Sequence, residues 1–410
     1  MSIENENKLF INKNCFLYND DLINREFISE INYIKENFCG KIITEITDIN
    51  SMDLDRMIVY IYGDIEDIFS KIKIHDRKEF YVIQNLSYNY EKIIENISLI
   101  SFGEIPINVN NVGVFFRKLF NDDKYYFNSL SEQHQFQSLT ESNKPGESYR
   151  KGIYITNVEE INNEFTFNLL RCSTNLDGPT DNFRSIDNEI IDKVNNISQY
   201  FFEQKTNLNH VLAQIYNNNI YNGKEKKAKI KSHSDKTKDM PRNALIAFCT
   251  FYQFNEINLK EIKNPKNDSY DLHYKNASIL TRLHFKLKKN VDNNDLVKKF
   301  DVILYPNSVF VISLETNRLY THEIVPSHLP INKLPTRLGY VIRCSKTKAI
   351  FKNSQTYVKY DQHIKLEEPS EKDITELKNN YFKENCFDKI VNYEKIYFSL
   401  NQGDYMKPNI

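Results

Sequence analysis

The longest unbroken apolar stretch in the sequence is ALIAFCTFY, the nine residues 244–252. A helix that crosses a bilayer needs about 20 such residues. A run this short, with Phe, Ile, Thr and Tyr in it, reads instead as a buried strand. Further strand-like segments surround it: VGVFFRKLF at 112–120, GIYITNV at 152–158, FTFNLLRC at 165–172, HVLAQIY at 210–216, SILTRLHFKL at 278–287, SVFVISL at 308–314 and RLGYVIR at 337–343. One clear helix interrupts them. There Ile186, Ile190, Ile191, Val194, Ile197 and Phe201 form an apolar stripe, and Ser185 stands where a cap belongs. Many strands and few helices predict a mainly β fold with flanking helices, a double-sheet jelly-roll over residues 106–350.

The flanks read differently. In residues 1–105, Leu22, Ile23, Phe27, Ile28, Ile31 and Ile34 recur at helical spacing, and β-rich runs at 57–62 and 80–83 alternate with further helical stretches. This predicts a small N-terminal α/β accessory domain that carries no recognisable chemistry. Residues 351–410 read as a C-terminal helical extension, with a helix opening at Ser370 and Asp373 placed three residues on to complete a capping box.

Composition narrows the partners. Lys and Arg total 54 against 55 acidic residues, a net charge of −1, so nothing draws the whole chain to nucleic acid or an anionic membrane. An anionic partner needs a local patch. The six cysteines are scattered, with no Cys-x-x-Cys pair, which points to free thiols in a reducing compartment. The opening MSIENENKLF lacks the basic and apolar regions of a secretory leader. The expectation is an intracellular protein, cytoplasmic or nuclear, with no membrane partner.

The chemistry concentrates in three places. His233-Ser234-Asp235 puts two potential metal ligands two residues apart, on one side of an extended chain. Two neutral imidazoles and one carboxylate on one face suit a non-haem Fe(II) centre that keeps open positions. The triplet alone also fits a surface turn. Downstream, a strand leads into Asn317-Arg-Leu-Tyr-Thr-His322, which offers the second imidazole. In RLGYVIR, period 2 puts Arg337, Gly339, Val341 and Arg343 on one face. Two arginines facing an apolar interior are costly unless an anion meets them, and a carboxylate accepts the guanidinium fork through two parallel hydrogen bonds. A solvated rim, or pairing with Glu, is the alternative.

In order, HVLAQIY, His233-x-Asp235, NRLYTHEI and Arg337…Arg343 resemble the signature of AlkB-like Fe(II)- and 2-oxoglutarate-dependent dioxygenases, over about 205–345. The resemblance implies an oxidoreductase that hydroxylates or demethylates its substrate, with Fe(II) as cofactor and 2-oxoglutarate and O₂ as co-substrates. It makes His233, Asp235 and His322 the metal ligands, with no catalytic residue beyond the metal site. It makes Tyr216, Arg337 and Arg343 co-substrate-binding. Arg337 would take the far carboxylate, and Arg343 would support the other end and the metal carboxylate. The chain departs from the pattern at Gln214, where Asn is usual, and at Gly339, where the pattern has a polar side chain.

Between Tyr216 and His233 lies a long segment with Lys224, Lys226, Lys227, Lys229 and Lys231, a candidate substrate loop for nucleic acid. With no Trp in the chain, a Tyr or Phe would have to stack on a base. A hydroxylase of a protein or small molecule, a catalytically silent binding module on the same barrel, and a zinc hydrolase are the rival readings. His284 reads as a rim histidine beside Arg282 and Lys286. His328, in a Pro-bounded loop, is a rival to His322. Residues 173–184 are a polar connector or a substrate-side lid.

Overall fold

The computed structural model describes residues 6–410, apart from 11–13, 18–26, 52–56, 73–78, 142–148, 172–173, 177, 255–267, 360–362 and 394. It is mainly β, built from several sheets with helices set against them.

In the first hundred residues every strand pairing is parallel, in the order Lys41–Ile43, Cys15–Leu17, Ile58–Asp64, Glu79–Tyr88, Ser98–Ile100. Alternation divides the two faces of this sheet. Val59, Ile61, Phe80 and Val82 point to a small core with Ile65, Ile68 and Phe69 of the helix Ile65–Lys71. Ile58, Tyr60, Tyr62 and Ile83 point the other way, into the main core shared with the rest of the chain. The predicted N-terminal helix is Ile28–Asn37, which buries Ile31 and Ile34; Leu22 and Ile23 lie outside the described residues.

A ten-stranded sheet carries the centre of the molecule. Its order is Thr174–Leu176, Gln137–Glu141, Arg150–Thr156, His210–Tyr216, Thr336–Arg343, Leu245–Gln253, Ser308–Ser313, Gly113–Phe116, Ile107–Val109, with Asp181–Asn182 beside Arg150–Thr156. Along this path all neighbours are antiparallel. The apolar run 244–252 falls on the central strand Leu245–Gln253, buried until its last residue.

One face of this sheet meets a four-stranded antiparallel sheet, Ile230–His233, Tyr320–Val325, Arg282–Leu287, Lys299–Ile303. Phe248 touches His322 edge-on at 5.3 Å between ring centroids, and Phe310 meets Phe285 at 5.8 Å. On the opposite face, Tyr340 donates to Asp187 of the helix Ser185–Ser198 at 2.7 Å. Arg184 rather than Ser185 is that helix's cap residue: its N–H donates to Asp187 at 2.8 Å, and Ser185 is already helical.

The third sheet joins Glu159–Ile161 and Glu164–Leu169 to Thr347–Lys352, Gln355–Lys359 and His363–Lys365. The 351–410 stretch, expected to be helical, therefore contributes strands before its helix Glu371–Cys386 begins. Ser370 caps that helix as expected, accepting from Asp373 N–H while its own N–H donates to the Asp373 carboxylate.

Candidate metal centre

His233 ends its strand directly opposite His322 in the antiparallel register, and their ring centroids lie 4.5 Å apart. The chain then turns, and the turn is clipped to the neck of the strand that carries His322. Asp235 N–H donates to Asn317 Oδ1 at 2.8 Å, and Asn317 Nδ2 donates back to Asp235 O at 3.0 Å. Ser234 Oγ donates to Tyr320 O at 3.1 Å. Nε2 of His233 comes within 3.8 Å of Asp235 Oδ1. Taking one ligand atom each from His233, Asp235 and His322, all three lie within 4.8 Å of one another, and no other such group occurs among the described residues.

The electrostatics set each group in its ligating form. Burial lowers the His322 pKa to about 3, helped by His233 beside it, so the imidazole is neutral and keeps a lone pair. Desolvation lowers His233 as well, against the opposing pull of Asp235. His233 Nδ1 lies 2.9 Å from Lys231 O. A carbonyl only accepts, so Nδ1 carries the proton and Nε2 keeps the lone pair on the Asp235 side. Burial would raise Asp235, but the Arg343 charge outweighs it and holds the carboxyl well below the usual range. Arg343 grips it with Nε and Nη2, each 3.0 Å from one carboxylate oxygen. His322 Nδ1 is buried with no hydrogen-bond partner. Two neutral imidazoles and one ionised carboxylate fit a divalent transition metal such as Fe(II).

Further along the strand that carries Arg343, on the same face of the large sheet, lies a second arginine, Arg337. Tyr216, Arg337 and Tyr252 are direct neighbours across three strands of the large sheet. Arg337 is 4% exposed, and its guanidinium lies 3.7 Å from the Tyr216 ring centre. Its Nε and Nη2 are buried without a hydrogen-bond partner. Gln214, Gly339 and Thr250 form the next row on the same face, and His210, Arg343 and Ile246 share a row further along. A Cβ at Gly339 would stand 2.7 Å from Arg337 Nη1. The glycine, a departure in the sequence, is what leaves space for the arginine. Tyr216 Oη donates to Gln214 Oε1 at 3.1 Å, so the other departure supplies its acceptor.

Support for the metal turn from far along the chain had no signal in the sequence. Asn385, on the helix Glu371–Cys386, accepts from Ser234 N–H at 2.9 Å and from Lys236 Nζ at 2.8 Å. Glu384 accepts from Thr237 N–H at 3.1 Å.

The lysine-rich segment is a β-hairpin, Asn219–Tyr221 with Lys224–Lys226, turning on Asn222 and Gly223 at φ of 50° and 72°. Its Asn-Gly pair is the residue choice for such a turn. Lys224, Lys226, Lys229 and Lys231 are exposed, as are Ile220 and Tyr221 at 61% and 59%. Lys227 instead ties the hairpin down, donating to Ser327 O at 2.8 Å and Leu329 O at 2.6 Å. His284 pairs with Asp301 at 2.7 Å, the rim reading, and His328 is exposed and outside the metal group. Within 173–184, the described residues supply Thr174–Leu176 and Asp181–Asn182 to the large sheet.

No protein-family profile matches the sequence, and no curated protein does. Among solved structures, that of OsALKBH1 is similar with a TM-score of 0.33 and 11% identity, over 56% of this chain and 97% of that one. A likeness at that level carries no argument about family or activity.

Proposed function

We propose that the chain is an Fe(II)- and 2-oxoglutarate-dependent dioxygenase of the AlkB-like kind, with residues 106–350 forming a double-stranded β-helix. The observation that carries this is the pairing of two features. A His-Asp-His group that fits Fe(II) is gripped by Arg343, and the same face of that strand carries a second buried arginine, Arg337, with two N–H-bearing nitrogens left unmatched. An unmatched buried guanidinium is costly, and a carboxylate offers the geometry that relieves it. A zinc hydrolase would use the same three ligands and gain nothing from Arg337. A silent binding module would have no need of the Arg343 fork that keeps Asp235 ionised.

In this reading His233, Asp235 and His322 hold the metal. With 2-oxoglutarate and O₂, that metal supplies oxidation of a substrate C–H bond as the co-substrate becomes succinate and CO₂. Arg337 anchors the far carboxylate, the Tyr216 ring backs the guanidinium, and Arg343 fixes Asp235. The four exposed lysines around the 219–226 hairpin, with Tyr221 as a stacking surface, favour nucleic acid as substrate; a protein or small molecule is the second reading. The test is anaerobic titration with Fe(II) and 2-oxoglutarate, then succinate release with candidate substrates. Fe(II)-loaded protein that takes up no 2-oxoglutarate would overturn the assignment.

A further inference from the structure

A cavity of about 220 Å³ lies between the turn that follows His233, the helix Leu314–Leu319 and the segment 387–393 beyond the helix Glu371–Cys386. Ser234, Asp235 and Thr237 form part of its wall, and neither His233 nor His322 does. Six cations line it: Lys238, Arg242, Lys288, Arg318, Lys346 and Lys389. Three acids share the wall, and each is already engaged. Glu6 accepts from Arg318 at 2.7 Å, Asp235 from Arg343 at 3.0 Å, and Glu384 from Thr237 N–H at 3.1 Å.

Four of the cations are less well matched. Lys346 and Lys389 are exposed and form no ion pair among the described residues. Arg242 meets a neutral amide, donating to Asn392 Oδ1 at 3.2 Å. Lys288 is 6% exposed, and its ammonium donates only to backbone carbonyls, Glu384 O at 2.5 Å and Phe387 O at 3.3 Å. An ammonium has three N–H groups, so one is left over. A buried charge with no counter-ion in contact is costly. Burial accordingly pulls the Lys288 pKa down to about 8, against the opposing pull of Glu384. We propose that this cavity binds a small multivalent anion, whose phosphate or carboxylate oxygens meet buried Lys288 together with Arg242, Lys346 and Lys389. Met240, Leu314 and Ile390 give the same wall an apolar part, which suits an organic anion. The site stands apart from the dioxygenase reading, since it uses neither the metal nor Arg337.

The experiment is calorimetric titration of the full chain, without metal and at low ionic strength, with pyrophosphate and with tricarballylate. Wild type should bind at least one of them, and the one bound tells phosphate from carboxylate chemistry. Joint replacement Lys346→Gln and Lys389→Gln alters only exposed side chains, whereas Lys288→Met removes the buried ammonium. Each should weaken binding by about ten-fold or more, the scale of a hydrogen bond to a charged group. Lys41→Gln with Lys151→Gln removes the same two charges from exposed positions outside the cavity, and should bind as wild type does. If Lys288→Met does not fold, the exposed pair decides alone. Wild type that binds neither anion overturns the proposal. So does an equal loss in the two double variants, which would mean diffuse attraction to lysines rather than a site.

Discussion

Arg343 closes both oxygens of Asp235 in a two-pronged grip, Nε to one and Nη2 to the other, each at 3.0 Å. Both groups are buried. The pair therefore has two duties: it offsets the desolvation of each charge, and it keeps Asp235 ionised for a cation. Arg343→Met should expose the first duty. Removing one partner of a buried ion pair costs about 3–5 kcal/mol, because the other charge is stranded. Denaturant unfolding should show that loss in the metal-free protein and a smaller one with excess Mn(II), which can take over as the counter-charge. An equal loss with and without Mn(II) would mean that Asp235 does not face the ion.

Gly339→Ala should separate co-substrate from metal. The new methyl would stand 2.7 Å from Arg337 Nη1, the far end of a flexible side chain, so the fold should survive while the guanidinium is displaced. Arg337→Lys removes the fork and keeps the charge. Both variants should lose 2-oxoglutarate affinity by about an order of magnitude or more, the scale of a charged hydrogen bond. Fe(II) affinity should hardly change. Calorimetric titration of each ligand separately checks this, and unchanged 2-oxoglutarate affinity in Arg337→Lys would remove Arg337 from the site.

Asn385 bonds the backbone of Ser234, between two candidate ligands, without touching the ion position. Outer groups that orient ligands typically contribute about 10- to 100-fold in metal affinity. Asn385→Ala should therefore weaken Fe(II) or Mn(II) binding on that scale, and should cost the metal-free protein about 1–3 kcal/mol, because the buried Ser234 N–H and Lys236 Nζ lose an acceptor. Competition with a chelator of known affinity measures the first, and a melting curve the second.

A buried histidine away from the metal predicts a pH limit. His134 lies between Asp181 at 2.8 Å and Asp187 at 2.9 Å. Burial alone would lower its pKa, but the two carboxylates win and raise it to about 9 from 6.5. Folding thus stabilises the protonated ring. The contribution is complete below the unfolded value and is lost as pH rises through about 9, a difference of about 3 kcal/mol. Stability should fall between pH 7 and pH 10 more steeply in wild type than in His134→Gln. Parallel pH profiles of the two would refute the assignment.

Changing Lys224, Lys226, Lys229 and Lys231 together to Ala should test the nucleic-acid reading while leaving the Lys227 tether in place. Phosphate contacts make affinity fall with salt, and the slope should become shallower in the variant. Wild type that binds single-stranded oligonucleotides weakly and without salt dependence would favour a protein or small-molecule substrate.

Much of the site was legible because it depends on local periodicity. Alternation alone put Arg337 and Arg343 on one face, and two-residue spacing brought His233 and Asp235 to one side of the chain. The apolar runs marked the central strands for the same reason. Asn317 and Asn385 were not legible, since an asparagine that clips a distant backbone has no periodic signature. The strands Gln355–Lys359 and His363–Lys365 are short and half polar, so their alternation is weak. The hairpin at 219–226 was different: its Asn-Gly turn stood in the sequence and was obscured by the lysines around it.

The bond from Asn385 to Ser234 also sets an order of events in the making of the protein. All three candidate ligands are in the chain once residue 322 has been added, yet the helix that steadies their turn, Glu371–Cys386, is synthesised well afterwards. A nascent chain thus carries His233, Asp235 and His322 with the turn between the first two unsupported. An ion held by His233, Asp235 and His322 would therefore gain the support of Asn385 only once that helix has docked.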